Sequence, residues 1–265
     1  MDFEKIKAKD LDKIKEFSHE GLGDINPIIE LYLKLEFCYS IKLVDKNEII
    51  GIGTAILYKN TSWIAHLIVK EKYRNNGDGL KILDCLCKYC RNNGYKSILL
   101  FATDMGYPLY KNYGFKIQTE YVQYERTKTI EYNSNINIMN IGIKDHEEIY
   151  KLDKLITGED RQNILSQYIN GGFVYKRNNK TKGFYLNDPG EKVIIAEDEE
   201  AGLELLKLRT SNNKYSTIPI GNISGNKFYV ENTFKELKKI KRMIYGNEIM
   251  CKNENIYNRI GGNFG

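Results

Sequence analysis

The 265-residue sequence predicts an α/β (α+β) protein of two tandem domains with similar topology, each a mixed, mostly antiparallel sheet flanked by helices. Three observations predict this. Short apolar runs suited to strands alternate with segments of helical spacing. One strand, "TSWIAHLIV", runs through a glycine-rich loop straight into a helix. Ile6, Asp10, Ile14, Phe17 and Gly23 recur 135 residues later as Ile141, Asp145, Ile149, Leu152 and Gly158. The expected units are residues 1–128 and 139–265, joined by a polar linker at 129–138 within "TKTIEYNSNINIMN".

Ile6 opens a short strand, and Leu11, Ile14 and Phe17 predict a helix over Asp10 to Phe17. Asn26-Pro27 begins a second helix, with Pro27 in its first turn and Ile28, Ile29, Leu31, Tyr32 and Leu35 on its apolar face. "YSIKLVD" and "EIIGIGTAILY" are strands around a turn at Lys46-Asn47. "TSWIAHLIV" is apolar on both faces and is therefore central in its sheet. Leu80 to Arg91 is a helix stopped at Asn93-Gly94, "KSILLFAT" a buried strand, Pro108 to Tyr113 a short helix closed by Gly114, and "FKIQTEYVQYER" extended chain. The second half repeats the order with "GFVYKR", "TKGFYLN" and "EKVIIAE", a helix over Ala201 to Leu208, "YSTIPI", a helix over Asn232 to Leu237, and "IKRMIYG".

Composition narrows the function classes. With 42% apolar and 28% charged residues the chain is a soluble globular type. It has no long apolar run for a membrane span. Its first residues lack the apolar core of a signal peptide, so the expected location is cytoplasmic. A net charge of +5 favours anionic ligands only mildly. The single dense basic cluster, "KELKKIKR" (Lys235 to Arg242), reads as a solvated helix-to-strand boundary rather than a nucleic-acid site. Of the cysteines, three crowd into "CLCKYC". A tetrahedral metal site needs four ligands and none complete it nearby. On a helix, Leu83, Leu86, Cys87 and Cys90 share the apolar face, so no metal is expected.

The stretch "VKEKYRNNGDGLKILDCL" carries the chemistry. Asn-Gly and Asp-Gly pairs suit hairpins, but the residues after Gly79 have helical spacing, so this is a strand–loop–helix crossover. A glycine-rich loop entering a helix leaves N–H groups converging at the positive end of the dipole, a site for pyrophosphate. Lys70, Lys72, Arg74 and Lys81 add positive charge. The Walker pattern and the three-glycine dinucleotide fingerprint are both absent. Arg-x-x-Gly-x-Gly is present, as Arg74, Gly77 and Gly79.

Together with "LLFATDMGYPLYKNYGFK" further along, this makes the sequence resemble the GNAT superfamily of acyl-CoA-dependent N-acetyltransferases, and in particular two-domain bacterial members with a second GNAT-like half. The strongest match spans Trp63 to Ile117. The resemblance implies acetyl-CoA as acyl donor and direct transfer to an amine of a small molecule or peptide. It implies a central strand splayed from its neighbour, with the backbones of Leu67, Ile68 and Val69 pairing with the pantetheine arm. Arg74, Asn75, Asn76, Gly77, Asp78, Gly79 and Leu80 would hold the pyrophosphate, with the Asp78 carboxylate turned outward. Tyr110 matches the tyrosine that protonates the departing thiolate.

A base for the amine is sought at His66, which titrates near neutrality but faces either side of its strand. Asp104 is the next candidate, while Glu20 and Asp24 could attract a cationic amine. The second half has Glu197, Asp198, Glu199 and Glu200 where a phosphate loop would stand, so it is expected to lack the cofactor. A non-catalytic acyl-CoA binder is the alternative reading.

Overall fold

The recurrence at 135 residues has a physical basis. Asp10 accepts the Lys7 N–H at 2.8 Å and pairs with Lys42 at 2.7 Å, starting a 3-10 turn. Asp145 accepts the Gly142 N–H at 2.9 Å and pairs with Lys176 at 2.5 Å, starting another. Each half therefore opens with the same carboxylate capping its own turn and neutralising a lysine on a later strand.

The structure is a computed structural model that describes residues 1–18 and 23–265. The first half comprises β1 (Asp2–Lys5), α1 (Leu11–Ile14), α2 (Asn26–Lys34), β2 (Cys38–Asp45), β3 (Glu48–Leu57), β4 (Ser62–Val69), α3 (Asp78–Asn92), β5 (Ser97–Ala102), α4 (Tyr107–Tyr113) and β6 (Lys116–Glu125). The second comprises β7 (Ile138–Asn140), α5 (His146–Thr157), α6 (Gln162–Tyr168), β8 (Gly172–Arg177), β9 (Lys180–Leu186), β10 (Ile194–Ala196), α7 (Glu199–Asn212), β11 (Tyr215–Pro219), α8 (Ile223–Glu231), β12 (Lys235–Gly246) and β13 (Ile256–Asn258).

Two expectations are corrected. Residues 10–17 do not form one helix: α1 is a single turn between 3-10 turns. Leu11, Ile14 and Phe17 are spaced by three, which suits the 3-10 period better than 3.6. The helix expected at Asn232 to Leu237 lies earlier, as α8. Asn222 starts it by accepting the Gly225 N–H at 2.8 Å, and Thr233 at φ +58° sits in the turn after it. The lysine-rich cluster is consequently the start of strand β12, exposed from Lys235 to Lys239 and buried at Ile240 and Arg242.

The larger sheet has the order β1-β2-β3-β4-β5-β12-β6-β11, and the smaller one β13-β10-β9-β8-β7. Beyond β5 the larger sheet alternates between halves. β12 pairs antiparallel with both β5 and β6, and β11 continues from β6. The two halves thus complete one another's hydrogen bonding, and β5 and β6 meet only through β12.

A buried carboxylate ties this junction. Glu159, just after α5, accepts the Thr61 hydroxyl at 2.9 Å, the Trp63 indole N–H at 2.6 Å and Arg242 Nη2 at 2.9 Å. It is 1% exposed. Nearby, Asp153 and Arg161 form a two-pronged buried pair at 2.6 and 3.0 Å. The same loop grips the β3–β4 turn: Asn60 donates to the Gly158 carbonyl, and the Asp160 N–H donates back to Asn60. Among the described residues, no helix is long and apolar enough to cross a membrane.

Removing Glu159 leaves Arg242 buried and unpaired. Glu159→Ala is expected to lower unfolding free energy by about 3–5 kcal/mol in urea titrations. Pairing Glu159→Leu with Arg242→Met should recover only the part due to the unpaired guanidinium, because the Thr61 hydroxyl and Trp63 N–H still lack their acceptor.

Candidate active site

The site begins where two parallel strands part. β4 and β5 are in register only at Ser62–Ile98 and Trp63–Leu99. Beyond Trp63, no strand among the described residues pairs with β4 on its β5 side. The gap opens at the C-terminal ends of both strands, beside the Arg74–Gly79 loop and the residues leading into α4. On its other side β4 pairs with β3 through a bulge. The step from Ile52 to Thr54 faces the step from Ile68 to Ala65, which holds one more residue, and His66 there has φ +47°. The bulge breaks the alternation of β4. Trp63, Ala65 and Ile68 pack into the core shared with α2 and the second half, whereas Ile64 and Val69 pack against α3.

The loop enters α3 as expected, although the helix begins at Asp78 rather than Leu80. Gly77 is in the left-handed region at φ +80°, with open space where a Cβ would stand, which lets the chain turn sharply without a side chain over the loop. The first helical acceptor is the Gly77 carbonyl, bonded by the Lys81 N–H at 3.1 Å. No side chain among the described residues caps α3. Among those residues, too, the N–H groups from Asn75 to Leu80 have no protein acceptor. Such a row of free donors at a helix start fits a pyrophosphate.

The charges around the loop differ from expectation. Asp78 does not point outward. Its side chain is 2% exposed, Oδ1 meets Lys81 Nζ at 2.7 Å, and Oδ2 is buried without a partner. The short side chain folds back under the first turn of α3, and the i,i+3 lysine reaches over it. Lys70 and Lys72 converge on Glu48 at 3.0 and 2.9 Å, and Lys70 also meets Glu16 at 2.7 Å. Hydrogen bonds from Lys72, Tyr73 and Lys70 hold Glu48 down at about 2. Arg74 lays its Nε on the Val69 carbonyl at 3.1 Å. Three of the four cations are therefore already paired, and the backbone N–H groups are the main donors left for an anion.

Tyr110 lies on α4, beside the gap. A Cβ on Gly79 would stand 3.4 Å from Leu109 and 3.8 Å from Leu67, so α4, the start of α3 and the open part of β4 meet there. The Tyr110 ring packs on Gly106 and edge-on to Phe115. Burial, and secondarily Cys87, pushes its phenol up to about 12, so it keeps its proton at neutral pH. Its hydroxyl has no partner among the described residues. On α3, Leu83, Leu86, Cys87 and Cys90 are fully buried, as their spacing predicts.

The bulge turns His66 toward α2. Its Nδ1 lies 2.8 Å from Tyr32 Oη, and that oxygen also accepts Asn263 Nδ2 at 2.8 Å. Burial lowers His66 to about 4, so the ring is neutral at pH 7. Asp104 is largely exposed with Lys241 at 3.4 Å, and Asp24 accepts the Asn26 N–H at 3.0 Å. Glu20 lies outside the described residues. Sequence reasoning misses Tyr32 and Asn263. Tyr32 reads in sequence only as an apolar helix position, and nothing local marks Asn263.

The second half repeats the strand–helix–strand order in β10, α7 and β11, but here the gap is filled. β13 pairs with β10, and Asn258 spans to β11 by accepting the Thr217 N–H at 2.8 Å. The Tyr257 ring lies against α7 so closely that a Cβ on Gly202 would be 2.1 Å away. Asp198 caps α7 by accepting the Ala201 N–H at 3.1 Å. Here the cap takes the Ala201 N–H, whereas α3 has no side-chain cap among the described residues.

His66 supplies a test. Its folded value of about 4 is below the ordinary 6.5. The unfolded chain therefore takes up a proton that the folded chain refuses as pH falls through this window. The His66 contribution to stability should drop between pH 6.5 and about 4 and be fully lost below, where the carboxylates take over the acid slope. His66→Gln should lose that portion of the acid slope in denaturant titrations.

Residues 29–133 match the family model described as acetyltransferase (GNAT) domain. No curated protein matches the chain. Among solved structures, a candidate acetyltransferase from Pyrococcus horikoshii superposes with a TM-score of 0.85 at 21% identity, over 100% of this chain and 95% of that one. A GCN5-related N-acetyltransferase from Sphaerobacter thermophilus has a TM-score of 0.66 at 8% identity, over 94% and 97% of the two chains. A probable N-acyltransferase from Enterococcus faecalis has 0.57 at 13% identity, over 92% and 72%. The chain thus has a GNAT-type mixed α/β fold, with residues 29–133 matching the acetyltransferase (GNAT) domain.

Proposed function

We propose that the protein is an acetyl-CoA-dependent N-acetyltransferase that moves an acetyl group directly to a primary amine. The observation that carries this reading is the parting of β4 from β5 beside the uncapped start of α3. An extended thiol-bearing arm and its pyrophosphate need these two features side by side. The GNAT domain match over the same residues supports it.

Acetyl-CoA, when bound, supplies a thioester-activated acetyl group. In the proposed arrangement Arg74 to Leu80 hold the pyrophosphate through backbone N–H groups, and Leu67 to Val69 line the open edge of β4. In the transfer, the amine nitrogen bonds to the acyl carbon as the carbon–sulfur bond breaks. The amine gives up one proton and the sulfur gains one. Tyr110 holds a proton at Oη for the sulfur, which a buried neutral phenol can do if it lies within hydrogen-bond reach. The second half is proposed as a GNAT-like unit without a cofactor, because β13 and the Asp198 cap cover the corresponding gap and helix start.

An amine panel assayed by free CoA release identifies the acceptor. Tyr110→Phe is expected to lower kcat by about 10²-fold while the acetyl-CoA melting shift persists. Unchanged turnover would remove Tyr110 from the mechanism, and a wild-type protein with no melting shift would remove the acetyltransferase reading. Calorimetric titration should give one CoA per chain; two would contradict a closed second gap.

A further inference from the structure

The chain that fills the second gap continues into the first site. After β13, the Arg259 N–H bonds the Thr217 carbonyl at 3.1 Å, and the Ile260 carbonyl accepts the Glu191 N–H at 2.5 Å. The Arg259 guanidinium is held by Glu191 and lies 4.4 Å from the Phe101 ring centroid on β5. The Phe264 carbonyl accepts the Tyr58 hydroxyl at 2.7 Å, and the Phe264 ring packs edge-on to Tyr32. Asn263 is thereby set in place between anchored neighbours, and its Nδ2 meets Tyr32 Oη.

The three groups form a one-directional chain. An amide nitrogen can only donate, so the bond from Asn263 occupies a lone pair of Tyr32 Oη. Tyr32 is a fully buried phenol whose proton burial holds firmly in place. Its single O–H then goes to the atom 2.8 Å away, His66 Nδ1. A neutral imidazole that accepts at Nδ1 carries its proton on Nε2. Among the described residues Nε2 has no hydrogen-bond partner. It belongs to a strand whose edge toward β5 is open from Ile64 onward.

We propose that Asn263 is a positioning residue that, through Tyr32, fixes His66 with its proton on Nε2, making His66 a neutral hydrogen-bond donor to the acyl carbonyl oxygen rather than the base. No proton transfers from His66. It stabilises negative charge growing on that oxygen, as an uncharged imidazole can. The amine's proton leaves to water. What the donor acts on rests on the acetyltransferase reading; which nitrogen carries the proton does not.

The test is a long-range 1H–15N correlation spectrum of the ¹⁵N-labelled full chain near pH 7. The chain has only three histidines, His19, His66 and His146, and His66→Gln assigns the signal. The expected wild-type spectrum has His66 with Nε2 protonated and Nδ1 bare. In Asn263→Asp the carboxylate accepts the Tyr32 proton, so Tyr32 must accept from His66 and the proton should move to Nδ1. Tyr32→Phe cuts the chain and should leave a mixture of both forms. A wild-type ring protonated on Nδ1, or a ring unchanged in both folded variants, overturns the proposal. In assay, Asn263→Asp is expected to lose about ten-fold or more in kcat with the KM for acetyl-CoA within two-fold, the pattern of a wrong tautomer.

Discussion

The Glu159 carboxylate is the contact on which the site geometry depends. Its donors come from the start of β4, at Thr61 and Trp63, and from β12, at Arg242. β5 lies between those two strands. One buried charge therefore ties β4 to β12 across β5, next to Trp63 and Leu99, the last place where β4 and β5 are paired. Beyond that level the two strands share no ladder, and they part. A buried ion pair contributes little net stability once desolvation is counted, but it penalises every arrangement in which its partners miss each other. Here that penalty selects one register of β12 against β5, and with it the shape of the gap.

The two halves resolve the same local problem in opposite ways. A strand leading into a helix between diverging neighbours leaves open backbone donors and an open strand edge. In the second half β13 takes the edge and Asp198 caps the helix start at the Ala201 N–H. In the first half both are left open. Backbone groups without protein partners persist in a fold only where water or a ligand meets them, which is why the proposed cofactor site lies in the first half. The chain after β13 also brings Asn263 and Phe264 back against the first half, so the closed unit helps to build the open one.

Charge plays a smaller part in the site than the lysine content suggests. Glu48 gathers Lys70 and Lys72, and Asp78 holds Lys81. An acid beside the phosphate loop is tolerable because its charge is matched by a lysine one helical turn away. What the loop offers an anion is directional N–H groups and the helix dipole, which favour a phosphate of fixed geometry over anions in general.

Short-range patterns were decided by the sequence alone. The period change after Gly79, the stops at Gly94 and Gly114, the buried face of Cys87 and Cys90 and the repeat of Asp10 as Asp145 depend on neighbours within a few residues, and each appears in the structure. So does the loop that enters α3. Long-range choices needed the tertiary structure. The side of β4 that His66 faces depends on a bulge against β3, and strict alternation would have placed it with Ile64 on the α3 side. The burial of Asp78, the pairing of the lysines, the insertion of β12 and the reach of Asn263 to Tyr32 join residues as much as 231 positions apart. No local periodicity encodes such contacts, because they are fixed by which surfaces remain to be covered once the strands have paired.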